Sequence, residues 1–203
     1  MEERECAIFY PLVDRATAIL INRHRLTETS LIVHWCSEEM GLFKTVAKGA
    51  MRPQSVFSGR LDLFVTCEVL FRRNPKSDLH RLDEVHLSQP RLQLRSSYAR
   101  VLAATYFAKL VELVAERETP LSGVHDLLAL SLDYLNSHDP SARLVHRFEG
   151  KLCEELGLGA ITAGAAGVLH ETFHRPLPPQ RGQLLEALAA SQRGEGVVTH
   201  DFT

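Results

Sequence analysis

The segment HETFH at residues 170–174 has the spacing of a zinc-hydrolase motif. On an α-helix, His170 and His174 would share one face and bind zinc, with Glu171 between them as general base. A catalytic zinc also needs a third protein ligand, and the downstream spacing of the known variants of this motif is absent. A proline follows almost at once, so we expect a solvated helix end whose histidines lie near the negative end of the helix dipole.

The rest of the chain carries no other motif of enzyme chemistry. There is no P-loop, no GxGxxG fingerprint and no recognisable Ser-His-Asp arrangement. Paired acids occur at Glu38-Glu39 and at Glu154-Glu155, and we interpret both pairs as solvated faces of helices or loops. We therefore predict a protein that is not an enzyme, with no catalytic residue, no metal site and no cofactor.

Lysines and arginines are concentrated in the first part of the chain. From Arg15 to Lys76 there are ten Lys and Arg against five Asp and Glu, a balance of +5. From Ser77 to the end there are twelve against sixteen, or −4. Such a split indicates a nucleic-acid surface on one half only. Eight of the cations fall on or beside predicted strands and are the candidate DNA-binding residues: Arg23, Arg25, Lys44, Lys48, Arg52, Arg60, Arg72 and Arg73.

A small basic barrel can follow a phosphate backbone with a positive groove while aromatic rings stack on the bases. Phe43, Phe57 and Phe64 are the candidate stacking rings, and core packing is the alternative interpretation of each. Gly49 and Gly59 flank a basic loop whose backbone can approach a phosphate closely. If four of the cations contact phosphates, log K falls with log[salt] with a slope of about −3.

The first part of the chain has the pattern of short β-strands. The clearest strand is predicted at Arg60–Arg72, where apolar residues occupy alternate positions. Three earlier strands are predicted at Ala18–Arg25, Ser30–Cys36 and Leu42–Lys48, and a weaker edge strand at Leu79–Leu87. Four or five short strands in so little chain indicate a small closed barrel, because closure removes exposed strand edges.

After Pro90 the apolar period changes from two to 3.6, which predicts an antiparallel bundle of helices joined by short loops. Thr119-Pro120 and Asp139-Pro140 are typical helix starts, and Gly157 is a candidate C-cap. The apolar stripes of the first three helices run from Leu102 to Val114, from Val124 to Leu135 and from Leu144 to Leu156, and two further helices are predicted at Ala163–His174 and Gln180–Ser191. The dozen residues after the last helix are predicted to be a frayed tail.

The pattern therefore predicts an α+β protein in two parts, with a β-barrel at residues 1–82 and an all-α helical part at residues 83–203. No Gly/Ser-rich linker separates the parts, so we expect them to pack against each other. We place the change between Ser77 and Pro90, where the apolar period switches.

The four cysteines and the apolar pattern bear on the compartment. Cys6, Cys36, Cys67 and Cys153 show no CxxC spacing, and we interpret the last three as small buried apolar residues. No apolar run approaches the ~18 residues of a membrane helix, and the first residues lack the apolar core of a signal peptide. We expect a reduced, cytoplasmic setting with no membrane partner.

Several of these segments occur together in a known family. A strand ends near Glu28–Ser30, an AKG triplet follows at residues 47–49, and Arg52-Pro53 is followed by Ser55. In the helical part, ETPLS starts at Glu118 and RFEGKLCEELG occupies residues 147–157. In this combination the chain resembles the bacterial recombination mediator family RecO, over roughly residues 16–158.

The resemblance implies an OB-fold barrel followed by a helical domain, and a role in DNA repair and homologous recombination. Proteins of this family bind single- and double-stranded DNA and anneal single strands. They cooperate with the RecR clamp and displace single-strand-binding protein while the RecA recombinase is loaded. The resemblance thus implies RecR and single-strand-binding protein as partners, RecA as an indirect one, and a location at the nucleoid.

The helical domain of the family captures the acidic tail of single-strand-binding protein, which ends in Phe. Such a tail needs an apolar slot beside positive charge. Arg147 stands at the matched RFE position, and Lys109 and Lys151 are further candidates for partner binding. Many members carry a four-cysteine zinc module after the matched LG segment. Here GLGAITAGAAG follows instead, so we expect no such module, and the C-terminal third has no clear counterpart.

Three classes of function follow from the sequence. The first is a RecO-like mediator without a catalytic site, and the second is a generic OB-fold adaptor acting on RNA or within a protein complex. The third is a zinc hydrolase that uses His170 and His174. Annealing of complementary strands separates the first from the second, and metal analysis of the purified protein separates the third.

Overall fold

A computed structural model describes residues 13–161 and 163–195 of the chain. Five strands form a closed barrel in the order β1-β2-β3-β5-β4. β3 and β5 pair in parallel, and the other neighbours pair antiparallel. The strands are β1 Val13–Arg25, β2 Leu31–Ser37, β3 Gly41–Ala47, β4 Thr66–Arg72 and β5 Leu79–Gln89. This is the five-stranded Greek-key arrangement of an OB-fold, as predicted.

Alternation along the strands fills the barrel with apolar side chains. Phe43 stacks between Trp35 and Phe71, with ring centroids 6.4 Å and 5.0 Å away. The Trp35 indole N–H donates to the Thr45 hydroxyl at 2.8 Å, so the one buried polar edge of the ring is satisfied. Because side chains fill the interior, a ligand can bind only at the two ends of the barrel or on the outward faces of its strands.

The strand predicted at Arg60–Arg72 begins later than expected, at Thr66. Phe64 has a φ of +67°, outside the β region, and its N–H bonds to the Leu20 carbonyl at 2.7 Å. Leu61 and Val65 are buried all the same, because the segment before β4 lies across the barrel. The apolar pattern of residues 60–65 therefore comes from a buried loop, and these residues do not form a strand.

Five helices follow the barrel, after a short 3₁₀ helix at Leu92–Ser96. They are α1 Tyr98–Val114, α2 Ser122–Ser137, α3 Ala142–Glu155, α4 Ala165–Phe173 and α5 Gln180–Glu195. All five were predicted, with bounds that differ by a few residues. The residues predicted as a frayed tail lie mostly outside the described part of the chain.

The helix ends show which sequence signals hold. At the end of α3 the Gly157 N–H bonds to the Glu154 carbonyl and the next N–H bonds to the Cys153 carbonyl, with Gly157 at φ +73°. This is a Schellman motif and confirms the predicted C-cap. The predicted starts at Thr119-Pro120 and Asp139-Pro140 lie too early. α2 begins at Ser122, and α3 is capped by Ser141, whose Oγ accepts the Leu144 N–H.

The barrel and the helices share one apolar core, which confirms that the two parts pack together. Ile19, Ile21, Cys36 and Leu42 on outward faces of β1–β3 join the buried residues of the helices. β5 continues to Gln89, so the boundary predicted at residues 82 and 83 falls inside a strand.

Arg91 ties the end of β5 to both parts. Its guanidinium donates to Asp133 at 2.5 Å, to the Phe64 carbonyl at 2.8 Å and to the Thr66 hydroxyl at 2.8 Å. The residue itself is only 4% exposed. A planar guanidinium with five donors can satisfy this many acceptors at once, so Arg91 fixes the start of the helical part against the barrel.

Candidate nucleic-acid interface

One end of the barrel is formed by the β1–β2 turn and the long segment that follows β3. Arg25 pairs with Leu31 across β1 and β2, and Leu31 pairs with Ala47 on β3, so the three strand ends lie side by side. The Met51 N–H bonds to the Thr29 carbonyl at 3.0 Å and brings the segment after β3 onto the turn. We call this the open end of the barrel.

Three cations gather at the open end. Arg25 and Lys48 stand one strand to either side of Leu31, which places their backbones about 10 Å apart. Arg52 follows in the turn after Lys48, and its Cδ lies against Gly49, at 3.4 Å from where a Cβ would stand. All three side chains are exposed, and none has an ion-pair partner among the described residues. We call Arg25, Lys48 and Arg52 the open-end cluster.

Two other predicted cations on this side of the barrel have internal partners. The Arg23 guanidinium donates to the Leu61 carbonyl and lies 3.7 Å from Asp62. Arg60 donates to the Val85 carbonyl at 3.1 Å. Both side chains therefore hold the segment before β4 in place. Arg23 is partly neutralised by Asp62, and a hydrogen bond within the barrel already uses the Arg60 guanidinium.

The last two predicted cations of the strands lie at the opposite end. Arg72 pairs with Asp83 at 2.7 Å, and Arg73 pairs with Asp14 at 2.6 Å and also approaches Glu118 at 3.9 Å. The antiparallel pairing of β1 with β4 explains this, because the end of β4 lies beside the start of β1, far along the strand from Arg25. The structure does not bring Arg72 and Arg73 to the open-end cluster.

Lys44 occupies a place of its own on the outward face of β3. It stands opposite His34 of β2, in a cleft between the barrel and the end of α1. His34 Nδ1 lies 2.7 Å from Glu112 of α1, and Asn22 donates to the same carboxylate at 3.4 Å. Lys44 itself has no ion pair in the described part of the chain.

The predicted stacking rings are not available to bases. Phe43, Phe57 and Phe64 are 2%, 6% and 5% exposed and belong to the apolar cores. Over residues 13–89, every Phe and Trp ring is buried. The core-packing interpretation is therefore correct for all three, and the outer surface of the barrel offers cations and imidazoles instead.

The structure brings two of the three candidate partner-binding residues together and leaves the third apart. Arg147 and Lys151 are exposed and one turn apart on α3, where Lys151 pairs with Glu154. Arg143, one turn earlier, extends the stripe and was missed because it precedes the RFE motif. Lys109 does not join them. Phe107 stacks on Phe148 of α3 at 4.0 Å, and two residues further on a helix is a rotation of about 200°, so Lys109 points elsewhere.

The HETFH segment does not have the geometry of the zinc motif. α4 ends at Phe173, and His174 adopts a left-handed conformation with φ +49°. His170 is still helical, and its Nδ1 lies 2.9 Å from the Arg175 carbonyl, to which it donates in one tautomer. The two imidazoles thus do not share a helix face, and both are exposed near the end of the helix, where the dipole is negative.

The described cysteines are buried in the cores, as predicted. Burial raises the pKa of Cys36 to about 12 and that of Cys67 to about 11, and it also raises the pKa of Cys153. The thiol of each is therefore the protonated form at neutral pH, which is neither a nucleophile nor a metal ligand. Cys6 lies outside the described residues.

Sequence reasoning missed Glu149, which is the least exposed charged residue in the described part of the chain. Glu149 is 1% exposed and accepts from Arg181 at 2.6 Å and from the Tyr106 hydroxyl at 2.6 Å. Burial, and then the charge of Glu149, raise the pKa of Tyr106. A Glu directly after Phe148 in an apolar stripe was the available signal, since a charge beside such a position is rarely left unpaired.

Two family models match the chain. One, described as Recombination protein O N terminal, matches residues 13–91, and the other, described as Recombination protein O C terminal, matches residues 95–189. The division between them falls just after β5. The second match also corrects the expectation that the C-terminal third has no counterpart, because it extends well past residue 158.

Proteins named DNA repair protein RecO are similar to this chain. The one from Rhodopirellula baltica is 26% identical over 140 residues, which are 69% of this chain and 52% of that protein. The one from Cyanothece sp. is 32% identical over 121 residues, 60% of this chain and 41% of that protein. The one from Idiomarina loihiensis is 24% identical over 183 residues, 89% of this chain and 77% of that protein.

The chain spans about half the length of the first two of these relatives. No described helix is both long enough and apolar enough to cross a membrane. The two models between them match the barrel and the helices in the order in which the structure has them. The chain belongs to the RecO family of DNA repair proteins.

Proposed function

We propose that this protein is a recombination mediator that binds single-stranded DNA at the open end of its barrel. The observation that carries the proposal is the open-end cluster, in which Arg25, Lys48 and Arg52 are exposed and unpaired within the described chain. An OB-fold binds single strands with a positive groove that follows the backbone. Its turn between β1 and β2 is one of the loops that such folds use for ligands.

The protein anneals complementary strands without catalysing any covalent step. Annealing needs neutralisation of phosphate charge and base edges that stay free to pair. The open-end cluster supplies charge, and the burial of every described Phe and Trp ring of the barrel leaves bases unstacked by the protein. Duplex DNA binds the same cations through its phosphates, since that interaction is independent of sequence and pairing.

In the cell, we propose that it acts at the nucleoid with the RecR clamp, and that it displaces single-strand-binding protein so that the RecA recombinase can be loaded. The α3 stripe of Arg143, Arg147 and Lys151 is the surface that supports capture of an acidic tail. It lies on the helical part and is separate from the open-end cluster. The two partners, DNA and the tail, can thus be bound at the same time.

Strand annealing tests the proposal most simply. Complementary single strands are mixed with the protein in the presence of a chelator and without nucleotide, and duplex formation is followed by fluorescence. We expect acceleration by the wild type, and a loss of most of it in a Lys48→Glu, Arg52→Glu double variant. A wild type that binds no single strand and accelerates nothing would contradict the proposal and favour a generic adaptor.

Tail capture is tested separately with a synthetic acidic peptide that ends in Phe. We expect Arg147→Glu to weaken peptide binding while leaving the affinity for single-stranded DNA unchanged, because the residue lies on α3 away from the barrel end. If DNA and peptide affinity fall together, or if neither falls, the assignment of two separate surfaces is wrong.

A further inference from the structure

A cleft of about 530 Å³ separates the outward face of the barrel from the helical part. Its barrel side comes from β1, β2 and β3, and its helical side from the end of α1 and the residues after it. Arg175, which follows α4, also lines it. A cavity of this size is in the range that holds a small organic ligand.

Some charged side chains of the cleft have hydrogen-bond or ion-pair partners, and others have none among the described residues. Glu112 is engaged by His34 and Asn22, and Arg117 pairs with Asp78 at 2.5 Å. Lys44 and Arg175 line the same cleft, and among described residues neither side chain has an ion-pair partner. The cleft therefore has one unpaired cation on each wall, Lys44 and Arg175, and its exposed acid Glu116 lies on the helical wall.

His34 gives the cleft an unused polar group. Its Nδ1 is held by Glu112, and its Nε2 is buried with no hydrogen-bond partner in the described structure. With Nδ1–H donated to the carboxylate, Nε2 is an acceptor. The amino group of a nucleobase is a donor that fits an acceptor of this kind, and a carboxylate nearby accepts from the same edge.

β3 links the cleft to the open-end cluster, because Lys44 lies on this strand and Lys48 follows directly after its end. The two residues are four positions apart, so their backbones are at most about 13 Å apart. A few nucleotides of a single strand cover that distance. A strand held at Lys48 can therefore reach Lys44 without leaving the barrel face.

We propose that this cleft takes one unpaired nucleotide of the bound strand. Lys44 from the barrel and Arg175 from the helical part hold its phosphate, and the base edge faces His34 and Glu112. A paired base cannot enter, so the cleft makes binding selective for single strands. The inference rests on the proposed DNA binding and adds to it a contact from the helical part.

The test compares Arg175→Glu with Lys76→Glu in the full chain. Lys76 is an exposed cation that does not line the cleft, and its reversal changes the charge by the same amount. We expect Arg175→Glu to weaken binding of a single-stranded oligonucleotide by at least about fivefold and to leave binding of a blunt hairpin duplex unchanged. Lys76→Glu should change neither.

A second variant, Ala115→Phe, narrows the cleft without altering charge. With a fluorescent aminopurine in the strand, we expect the emission change seen on wild-type binding to be lost, while duplex binding is kept. Equal losses in Arg175→Glu and Lys76→Glu, or single-strand affinity of Arg175→Glu equal to wild type, would overturn the proposed nucleotide site and leave the proposed function standing. A wild type that binds no single strand defeats the proposed function itself.

Discussion

Glu149 joins three helices through its carboxylate. It accepts from Tyr106 on α1 and from Arg181 on α5, and His146 of its own helix lies 3.5 Å away. The hydrogen bond to Glu149 is the main cause of the raised pKa of Arg181. A buried carboxylate without these donors would keep its charge in an apolar core at a cost of several kcal/mol.

We therefore expect Arg181→Ala to destabilise the protein by about 3 kcal/mol, because it leaves Glu149 buried and unpaired. The loss is measured as the free energy of unfolding in urea. Arg143→Ala, an exposed arginine on the same helix as Glu149, is the matched control and should stay within about 0.5 kcal/mol of wild type. Equal values for the two variants would show that the buried pair is not needed.

The buried thiols give a second prediction at this scale. Burial raises the pKa of Cys36 from 9.0 to about 12 and that of Cys67 to about 11, so the folded protein holds these protons more tightly than the unfolded chain. Their contribution to stability is complete below pH 9.0 and is lost as the pH rises through these values.

The urea midpoint should fall above pH 9.0 by more in the wild type than in a Cys36→Ala, Cys67→Ala double variant. The variant is needed because lysines and tyrosines titrate in the same range. A decline of the same steepness in both proteins would show that the thiols are not the groups responsible.

Among the elements, the segment between α1 and α2 closes the barrel end opposite to the open end. The Glu118 N–H bonds to the Leu42 carbonyl at 2.9 Å, and the Leu121 N–H bonds to the Glu38 carbonyl at 3.0 Å. Gly41, at φ +63°, lies where a Cβ would collide with the Thr119 carbonyl. The helical part can therefore seat on the barrel only if residue 41 has no side chain.

We expect Gly41→Ala to cost more stability than Gly59→Ala. Both glycines have a similar positive φ, +63° and +72°, so both variants carry the left-handed penalty of about 1–2 kcal/mol. Only Gly41 has a backbone neighbour in the way, since nothing lies within 4 Å of a Cβ at Gly59. Thermal unfolding measures both, and equal losses would contradict the close approach.

Sequence patterns predicted elements better than they predicted the site. Alternation and the 3.6 period located the strands and helices, because burial imposes those periods directly. They failed at residues 60–65, where a loop lies across the barrel with the same burial. Which cations face one another depends on strand pairing. Arg25 and Lys48 lie on either side of β2, while Arg73 forms an ion pair with Asp14 at the other end of the barrel. Neither arrangement can be predicted from the composition of the sequence.

For the whole molecule, the folded barrel carries less net positive charge than the sequence segment from Arg15 to Lys76 suggested. The folded barrel extends over residues 13–89 and includes Asp14, Asp78, Asp83 and Glu84, so it carries eleven Lys and Arg against nine Asp and Glu, or +2. The proposed DNA binding must therefore come from a local cluster and not from the overall field. This places the central claim on Arg25, Lys48, Arg52 and, in the cleft, Lys44.

The most direct test of that claim is the salt dependence of binding to a single-stranded oligonucleotide, followed by fluorescence anisotropy. Four unpaired cations predict a slope of log K against log[salt] of about −3, and Lys48→Ala with Arg52→Ala should flatten it by about 1.4. Lys76→Ala, which removes an exposed lysine at the opposite end, should leave the slope unchanged. A wild type that binds independently of salt, or a slope that Lys76→Ala flattens as much as the double variant does, would contradict the account.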